Sequence, residues 1–182
     1  MARAVALYGA PGVGKDTVTA SLTRLDARYR LFRRIKCGPG RTVGYRMVTA
    51  AQLADLRAAG DVVYENRRYD AEYVVDRSGL LSLAATHRPV VHVGQPEAVA
   101  ALTAAEVPLF WLVVELFCPR DVAERRVADR GGDPRERMPV FDQTPALSLS
   151  GAVRIDTSIR TPDESAALIA AHMDAAYVGA VR

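Results

Sequence analysis

The chain has 182 residues, of which 49% are apolar and 25% charged, proportions that suit one soluble globular domain and exclude a disordered chain. No apolar run reaches the ~18 residues of a membrane-spanning helix, so we expect no membrane partner. The net charge of +3, from 24 basic and 21 acidic residues, comes from separate arginine groups and not from one basic stretch, which argues against a nucleic-acid partner.

The two cysteines and the start of the chain bear on the cellular compartment. Cys37 and Cys118 are far apart and have no metal-binding spacing, which argues against a disulfide framework and a zinc site. Met1, Ala2 and Arg3 lead directly into an apolar strand pattern and not into a signal segment. We therefore expect a cytoplasmic protein, and the oligomeric state stays open.

A glycine-rich segment follows the first apolar run. Residues 4–8 predict a buried strand, and residues 9–15 fit the pattern Gly-x-x-x-x-Gly-Lys at the start of a helix. Backbone N–H groups of such a loop surround nucleotide phosphates, the lysine reaches the outer phosphates, and the helix dipole favours the same anion. The predicted ATP-binding residues are Gly9, Gly12, Val13, Gly14, Lys15, Asp16 and Thr17.

Asp16 departs from the usual form of this loop. It stands where a serine or threonine normally offers a hydroxyl to Mg²⁺, and Thr17 comes one position later. Asp16 is therefore the candidate metal ligand, either directly or through water. The alternative is that Asp16 only favours the start of the helix as an acidic first-turn residue.

The rest of the chain shows helical and extended patterns in alternation. Helices are predicted over 16–25, 49–59, 78–86, 96–105, 120–129 and 162–178, and extended segments over 61–64, 69–75, 89–93, 109–116 and 153–156. This alternation is typical of an α/β fold, with a parallel sheet covered by helices on both faces. The loops after Tyr8, Val93 and Leu116 should meet beyond the carboxyl ends of the strands and form the ligand site.

The predicted organisation is a single domain over 1–182 with an inserted segment. The core comprises 1–31 and 84–182, and the segment 32–83 interrupts the first crossover with short extended pieces of its own. We expect this insertion to bind an acceptor substrate.

Further motifs follow the glycine-rich loop in a fixed order. Gly44-Tyr45-Arg46-Met47-Val48 is similar to a Gly-x-x-Tyr-x-Phe-Val stretch, and residues 60–65 are similar to Gly-x-Phe-x-Glu. Residues 119–131 form an arginine-rich stretch that begins with proline, and 155–158 form a last strand and turn. With the loop, this order resembles the guanylate kinase-like group of P-loop phosphotransferases, which implies a P-loop fold with a lid, here at about 130–144.

The resemblance implies transfer of the γ-phosphoryl group of MgATP to the phosphate of a nucleoside monophosphate, most simply GMP. Two other features resemble a related family, the ribose 1,5-bisphosphate phosphokinases: the Gly-Lys-Asp of the loop and the strand end Val93-Gly94. That family lacks the tyrosine matched by Tyr45. A specialised sugar-phosphate or nucleotide kinase is a third possibility. Nucleotide-free interaction modules of the same group form a different class, but they typically lose the loop that is retained here.

Phosphoryl transfer to a phosphate requires positioning and charge neutralisation and no general base. The candidate catalytic residues are Lys15, Arg130 and Arg137, with Arg135 as an alternative to Arg137. The three histidines are expected to be surface or packing residues.

The acceptor site is expected to hold a phosphate with cationic side chains, because a guanidinium fork matches a phosphate dianion. Tyrosine hydroxyls would add hydrogen bonds, and a carboxylate would accept one from a base or sugar hydroxyl. The candidates are Arg34, Lys36, Arg41, Tyr45, Tyr73 and Glu65, with Asp70 and Glu72 as competitors for the last role.

Overall fold

The structure, a computed structural model, describes residues 1–68 and 70–181. Tyr69, which begins one of the predicted extended segments, lies outside the described residues. In chain order the elements are β1 (Ala2–Tyr8), α1 (Lys15–Leu25), β2 (Tyr29–Leu31), β3 (Ile35–Cys37), β4 (Arg46–Met47), α2 (Ala50–Ala58), β5 (Val62–Arg68), β6 (Ala71–Asp76), α3 (Arg77–Ala84), β7 (Arg88–Val93), α4 (Pro96–Ala104), β8 (Leu109–Phe117), α5 (Arg120–Asp129), α6 (Pro134–Asp142), β9 (Val153–Asp156) and α7 (Pro162–Val181).

The main sheet has five parallel strands in the order β2-β7-β1-β8-β9. β1 lies in the middle, and its last five residues are fully buried, as expected for a continuous apolar strand in a parallel sheet. Tyr8 at the end of β1 aligns with Val93 of β7 and Glu115 of β8. The carboxyl ends of these three strands therefore meet at one edge of the sheet.

Helices cover both faces of this sheet, which confirms the predicted fold class. Alternate residues of β1 face opposite sides, because successive strand side chains point in opposite directions. Val5 and Leu7 belong to an apolar cluster with α1 and α7, whereas Ala4 and Ala6 belong to a second cluster with α3 and α4. None of the helices in the described part of the chain combines the length and apolar character needed to cross a membrane.

A second sheet of four strands, in the order β4-β3-β6-β5, lies within the segment 32–83. β6 runs antiparallel to both β3 and β5, and β4 runs parallel to β3. Its small apolar cluster contains Ile35, Leu53 and Val74. An ion pair joins the partly exposed Arg46 of β4 to the buried Asp76, and the Asp76 carboxylate also accepts a hydrogen bond from the Gly79 N–H at the start of α3.

The segment 130–144, expected to form a lid, contains the helix α6. The Asp133 side chain accepts a hydrogen bond from the Arg135 N–H, and Pro134 occupies the first turn, where a missing N–H has no cost. The chain after α6 is fixed by the main sheet. The Tyr8 hydroxyl donates to the Pro145 carbonyl at 2.6 Å, and burial raises the pKa of Tyr8 to about 12.

Candidate functional site

The glycine-rich loop between β1 and α1 packs closely against neighbouring backbone. Gly12 has a φ of +82°, and a Cβ at this position would lie 2.7 Å from the Ala123 carbonyl oxygen of α5. A Cβ at Gly9 would lie 2.4 Å from the Leu116 carbonyl oxygen of β8. Only glycine fits these two positions, so the loop is held between the ends of β8 and α5.

The Lys15 side chain folds back over this loop. Its half-buried ammonium donates to the Gly9 carbonyl at 2.5 Å and to the Ala10 carbonyl at 2.9 Å. Burial lowers the pKa of Lys15 to about 8; the Asp16 carboxylate opposes this shift, and Arg34 and other nearby arginines add to it. Several arginine charges therefore lie near enough to the loop to act on Lys15.

Asp16 and His92 form a pair beside the loop. The exposed Asp16 carboxylate lies 3.5 Å from His92 Nδ1 and 4.0 Å from the Arg130 guanidinium. On the other side of the ring, His92 Nε2 lies 2.7 Å from the Thr19 hydroxyl. Burial, followed by the Lys15 charge, lowers the pKa of His92 to about 3, so the imidazole is neutral. The expectation of a surface or packing role missed this position beside Asp16.

A cleft of 820 Å³ runs from the glycine-rich loop to the second sheet and the lid. It brings together most of the site residues predicted from the sequence. Those that line it are Gly9, Gly12, Gly14, Lys15, Asp16, Arg34, Lys36, Arg41, Tyr45, Tyr73, Arg130 and Arg137.

The charge of the cleft wall is mostly positive. Among the residues that the structure describes, seven basic side chains line it, against the three carboxylates of Asp16, Asp70 and Glu136. The basic residues are Lys15, Arg34, Lys36, Arg41, Arg68, Arg130 and Arg137. Such a wall suits a ligand with several negative charges.

The floor of the cleft is formed at the second sheet by Lys36 of β3, Tyr73 of β6 and Tyr45, which directly precedes β4. Lys36 is 2% exposed, and its ammonium donates to the Arg41 carbonyl at 2.8 Å. The same ammonium lies 5.6 Å from the centre of the Tyr45 ring and 5.5 Å from that of Tyr73. The Arg34 guanidinium lies 5.3 Å from the Tyr73 ring, so cations and aromatic rings alternate here.

Glu65 is placed apart from the other predicted acceptor residues. Its carboxylate accepts hydrogen bonds of 3.0 and 2.8 Å from Arg57 of α2. The next residue, Asn66, and Arg68 line the cleft instead, because alternate residues of β5 face opposite sides. Neither is among the residues predicted from the sequence for the acceptor site. The period-two pattern of the strand places both on one face, but it does not say which face meets the cleft.

A second cavity of 270 Å³ lies on the other side of the loop. Thr17 lines this cavity and not the main cleft, and Gly14 and Arg130 line both. Arg126 donates to the hydroxyl and carbonyl of Thr157 at 3.0 and 2.7 Å, which fixes its guanidinium at the cavity. The Thr157 hydroxyl donates to the carbonyl of the buried loop residue Val13 at 2.9 Å, which ties the loop to the chain after β9.

Carboxylates near the loop are few. Within residues 1–68 and 70–181, no group of three or more His, Cys, Asp or Glu side chains is arranged to hold a metal ion. Asp16 is the acidic group next to Lys15, and one carboxylate together with phosphate oxygens is a common Mg²⁺ environment. The site therefore fits a Mg²⁺ ion that arrives with a nucleotide.

Comparison of the chain with protein-family models gives no match, and comparison with curated protein sequences gives none either. Solved structures do match. A guanylate kinase from Anaplasma phagocytophilum superimposes with a TM-score of 0.63 at 11% identity, over 96% of this chain and 85% of the other. A sugar kinase from Janibacter sp. HTCC2649 superimposes with a TM-score of 0.55 at 11% identity, over 96% of this chain and 95% of the other. The chain thus has the fold of these kinases.

Proposed function

We propose that the protein is a kinase that transfers the γ-phosphoryl group of MgATP to a phosphorylated small molecule. One observation carries the proposal: the glycine-rich loop, the cationic floor of the second sheet and the lid arginines line a single cleft of 820 Å³. A donor at the loop and an acceptor on the floor would face each other under the lid. That is the proximity a two-substrate transfer requires.

The donor would occupy the loop and the adjoining cavity. Lys15 and the backbone N–H groups of 12–16 would hold the phosphates. The 270 Å³ cavity is suited to the nucleotide base, because the Arg126 guanidinium is already held by Thr157 and offers a flat cationic face. Arg130 lines both spaces and would lie beside the phosphates.

The metal would be held by Asp16 together with phosphate oxygens of the donor. A bound Mg²⁺ neutralises charge on the phosphates and orients them. The neutral imidazole of His92 lies 3.5 Å from the Asp16 carboxylate and brings no positive charge that would compete with the metal for it. Thr17 lines the other cavity, which favours Asp16 as the metal ligand.

The transfer itself would depend on the arginines of the lid. Arg130 and Arg137 line the cleft and would stabilise negative charge on the migrating group, a contribution that can reach ~10³ in rate. The alternative Arg135 is not among the described residues that form the cleft wall. An acceptor that is already a phosphate dianion needs no base to remove a proton.

The proposed acceptor is a GMP-like nucleoside monophosphate, whose phosphate would meet Arg34, Lys36 and Arg41 and whose base would lie near Tyr45 and Tyr73. A specific observation favours a second candidate, ribose 1,5-bisphosphate or a related sugar phosphate. Glu65, the expected partner of a base, is engaged by Arg57. In addition, the seven basic side chains of the cleft suit more than one phosphate group.

A direct screen tests the proposal. Purified protein is incubated with MgATP and, separately, GMP, AMP, CMP, UMP, the deoxynucleoside monophosphates and ribose 1,5-bisphosphate, and ADP release is measured. We expect turnover with one acceptor class and none with the Lys15→Ala variant. Failure to bind ATP would overturn the enzyme proposal, and ATP binding without any turnover would favour an interaction module.

A further inference from the structure

Asn66 belongs to the cleft wall formed by the second sheet. It is directly opposite Tyr73 in the antiparallel pair of β5 and β6, and Arg68 follows on the same face. Its neighbours Glu65 and Arg67 are exposed on the other face. Asn66 is thus surrounded by residues suited to a phosphorylated acceptor, yet it carries no charge itself.

The Asn66 amide has an unsatisfied hydrogen-bonding atom. Its Oδ1 is buried and has no hydrogen-bond partner among the described residues. Leaving a buried polar atom unpaired costs free energy, and most such atoms in folded proteins are paired. An apolar side chain of similar shape would avoid this cost, so the amide is poorly explained by stability of the ligand-free protein.

The geometry points to Asn66 as a specificity-determining residue whose amide hydrogen-bonds a hydroxyl or amino group of the phosphorylated acceptor. This inference rests on the proposed function and adds a recognition element to its acceptor site. A half-turn of the amide exchanges Oδ1 and Nδ2, so the side chain can accept from a donor group or donate to an acceptor group. The cationic residues around it bind phosphate but do not distinguish one phosphorylated molecule from another. Asn66 supplies that distinction.

The test compares Asn66→Leu with Arg67→Leu, a control at the next position on the opposite face of β5. For Asn66→Leu we expect a melting temperature equal to or above that of the wild type, because an unpaired polar atom is removed. We expect unchanged ATP affinity and a loss of roughly tenfold or more in kcat/KM for the acceptor. Arg67→Leu should retain wild-type kcat/KM.

Acceptor analogues that lack one polar group show which group of the acceptor bonds Asn66. Examples are deoxy sugars, and inosine monophosphate in place of GMP. Wild type should discriminate against the analogue that lacks the recognised group, and Asn66→Leu should not. A clear fall in melting temperature, together with equal loss for all acceptors and for ATP, would show a structural role and overturn the inference.

Binding separates this inference from the proposed function. If the wild type turns over no acceptor, the kinase proposal fails, and Asn66 is then judged from the thermal stabilisation that GMP and ribose 1,5-bisphosphate produce. Greater stabilisation of the wild type than of Asn66→Leu by either ligand supports the inference. Equal stabilisation of both proteins, or none of either, overturns it.

Discussion

Lys15 is a residue whose charge depends on its surroundings. Its pKa is lowered to about 8, chiefly by burial, so the free protein loses this positive charge as the pH rises above about 8. We expect MgATP affinity to be nearly constant from about pH 7 to about pH 8 and then to fall by up to about tenfold per unit. Calorimetric titration of the protein with MgATP at several pH values measures this affinity. Lys15→Met should bind weakly and lack the decline, and a flat wild-type profile would contradict the prediction.

His92 should affect stability in acid. Its pKa of about 3 lies below the ordinary value of 6.5, so between these limits the unfolded chain binds a proton that the folded protein does not. The neutral His92 therefore leaves the folded protein at full stability above about pH 6.5. As the pH falls below that value the unfolding constant rises, by up to about tenfold per pH unit.

Urea unfolding at about pH 7 and about pH 4.5 tests this expectation for wild type and for His92→Gln. The variant should lose less stability between the two pH values. His172→Gln, at an exposed position of α7, is the matched control and should resemble the wild type. Equal acid sensitivity of all three proteins would count against the neutral imidazole.

The position of the glycine-rich loop between β1 and α1 could be predicted from the sequence, because its pattern is local. The acceptor wall could not, because it depends on which side of β5 each residue faces. The pairing of β5 with β6 shifts between Val62 and Tyr64, and such an irregularity changes the face that later residues occupy. The motif therefore predicts Glu65 for the acceptor site, whereas Asn66 and Arg68 line the cleft.

At the scale of elements, the Arg46–Asp76 pair connects the second sheet to α3. Asp76 is 2% exposed and accepts hydrogen bonds from both the Arg46 guanidinium and the Gly79 N–H. Arg46→Ala would leave a buried carboxylate without its cation, which we expect to cost about 3 kcal/mol of unfolding free energy. Chemical denaturation measures the loss. A cost no larger than that of Arg67→Ala, an exposed arginine on β5, would refute this role.

The six predicted helices and the predicted strands are present within a few residues, because their apolar periodicities are clear. Four elements have no predicted segment of their own, namely β2, β3, β4 and α6. β3 and β4 have only three and two residues, so they carry little pattern. β2 has only three residues and lies at the edge of the sheet, so it carries little pattern. α6 contains Pro139, which normally argues against a helix interior, although Asp133-Pro134 was a usable start signal.

At the scale of the whole molecule, the alternation of helices and strands was enough to predict the α/β class. The order β2-β7-β1-β8-β9 and the mixed directions of the second sheet depend on contacts between distant segments. A single sequence does not display such contacts. Likewise, the concentration of seven basic groups in one cleft appears only when the insertion and the lid are brought next to the loop.

This concentration of charge predicts a salt effect on acceptor binding. KM for a bisphosphorylated acceptor should rise more steeply than KM for a monophosphate between about 0.02 and about 0.3 M salt, because screening weakens each additional attraction. Initial rates at several salt concentrations measure both slopes. If the two slopes are equal, the second phosphate meets no additional cations in the cleft.

The bonds of Lys15 to the Gly9 and Ala10 carbonyls have a consequence for the choice of donor. These carbonyls occupy two of the three ammonium N–H groups, so the third is left for an outer phosphate oxygen of the proposed nucleotide. Adenosine brings no phosphate oxygen, and AMP has no outer phosphate to offer the lysine. We therefore expect the proposed donor to be selected first by the length of its phosphate chain and only secondly by its base.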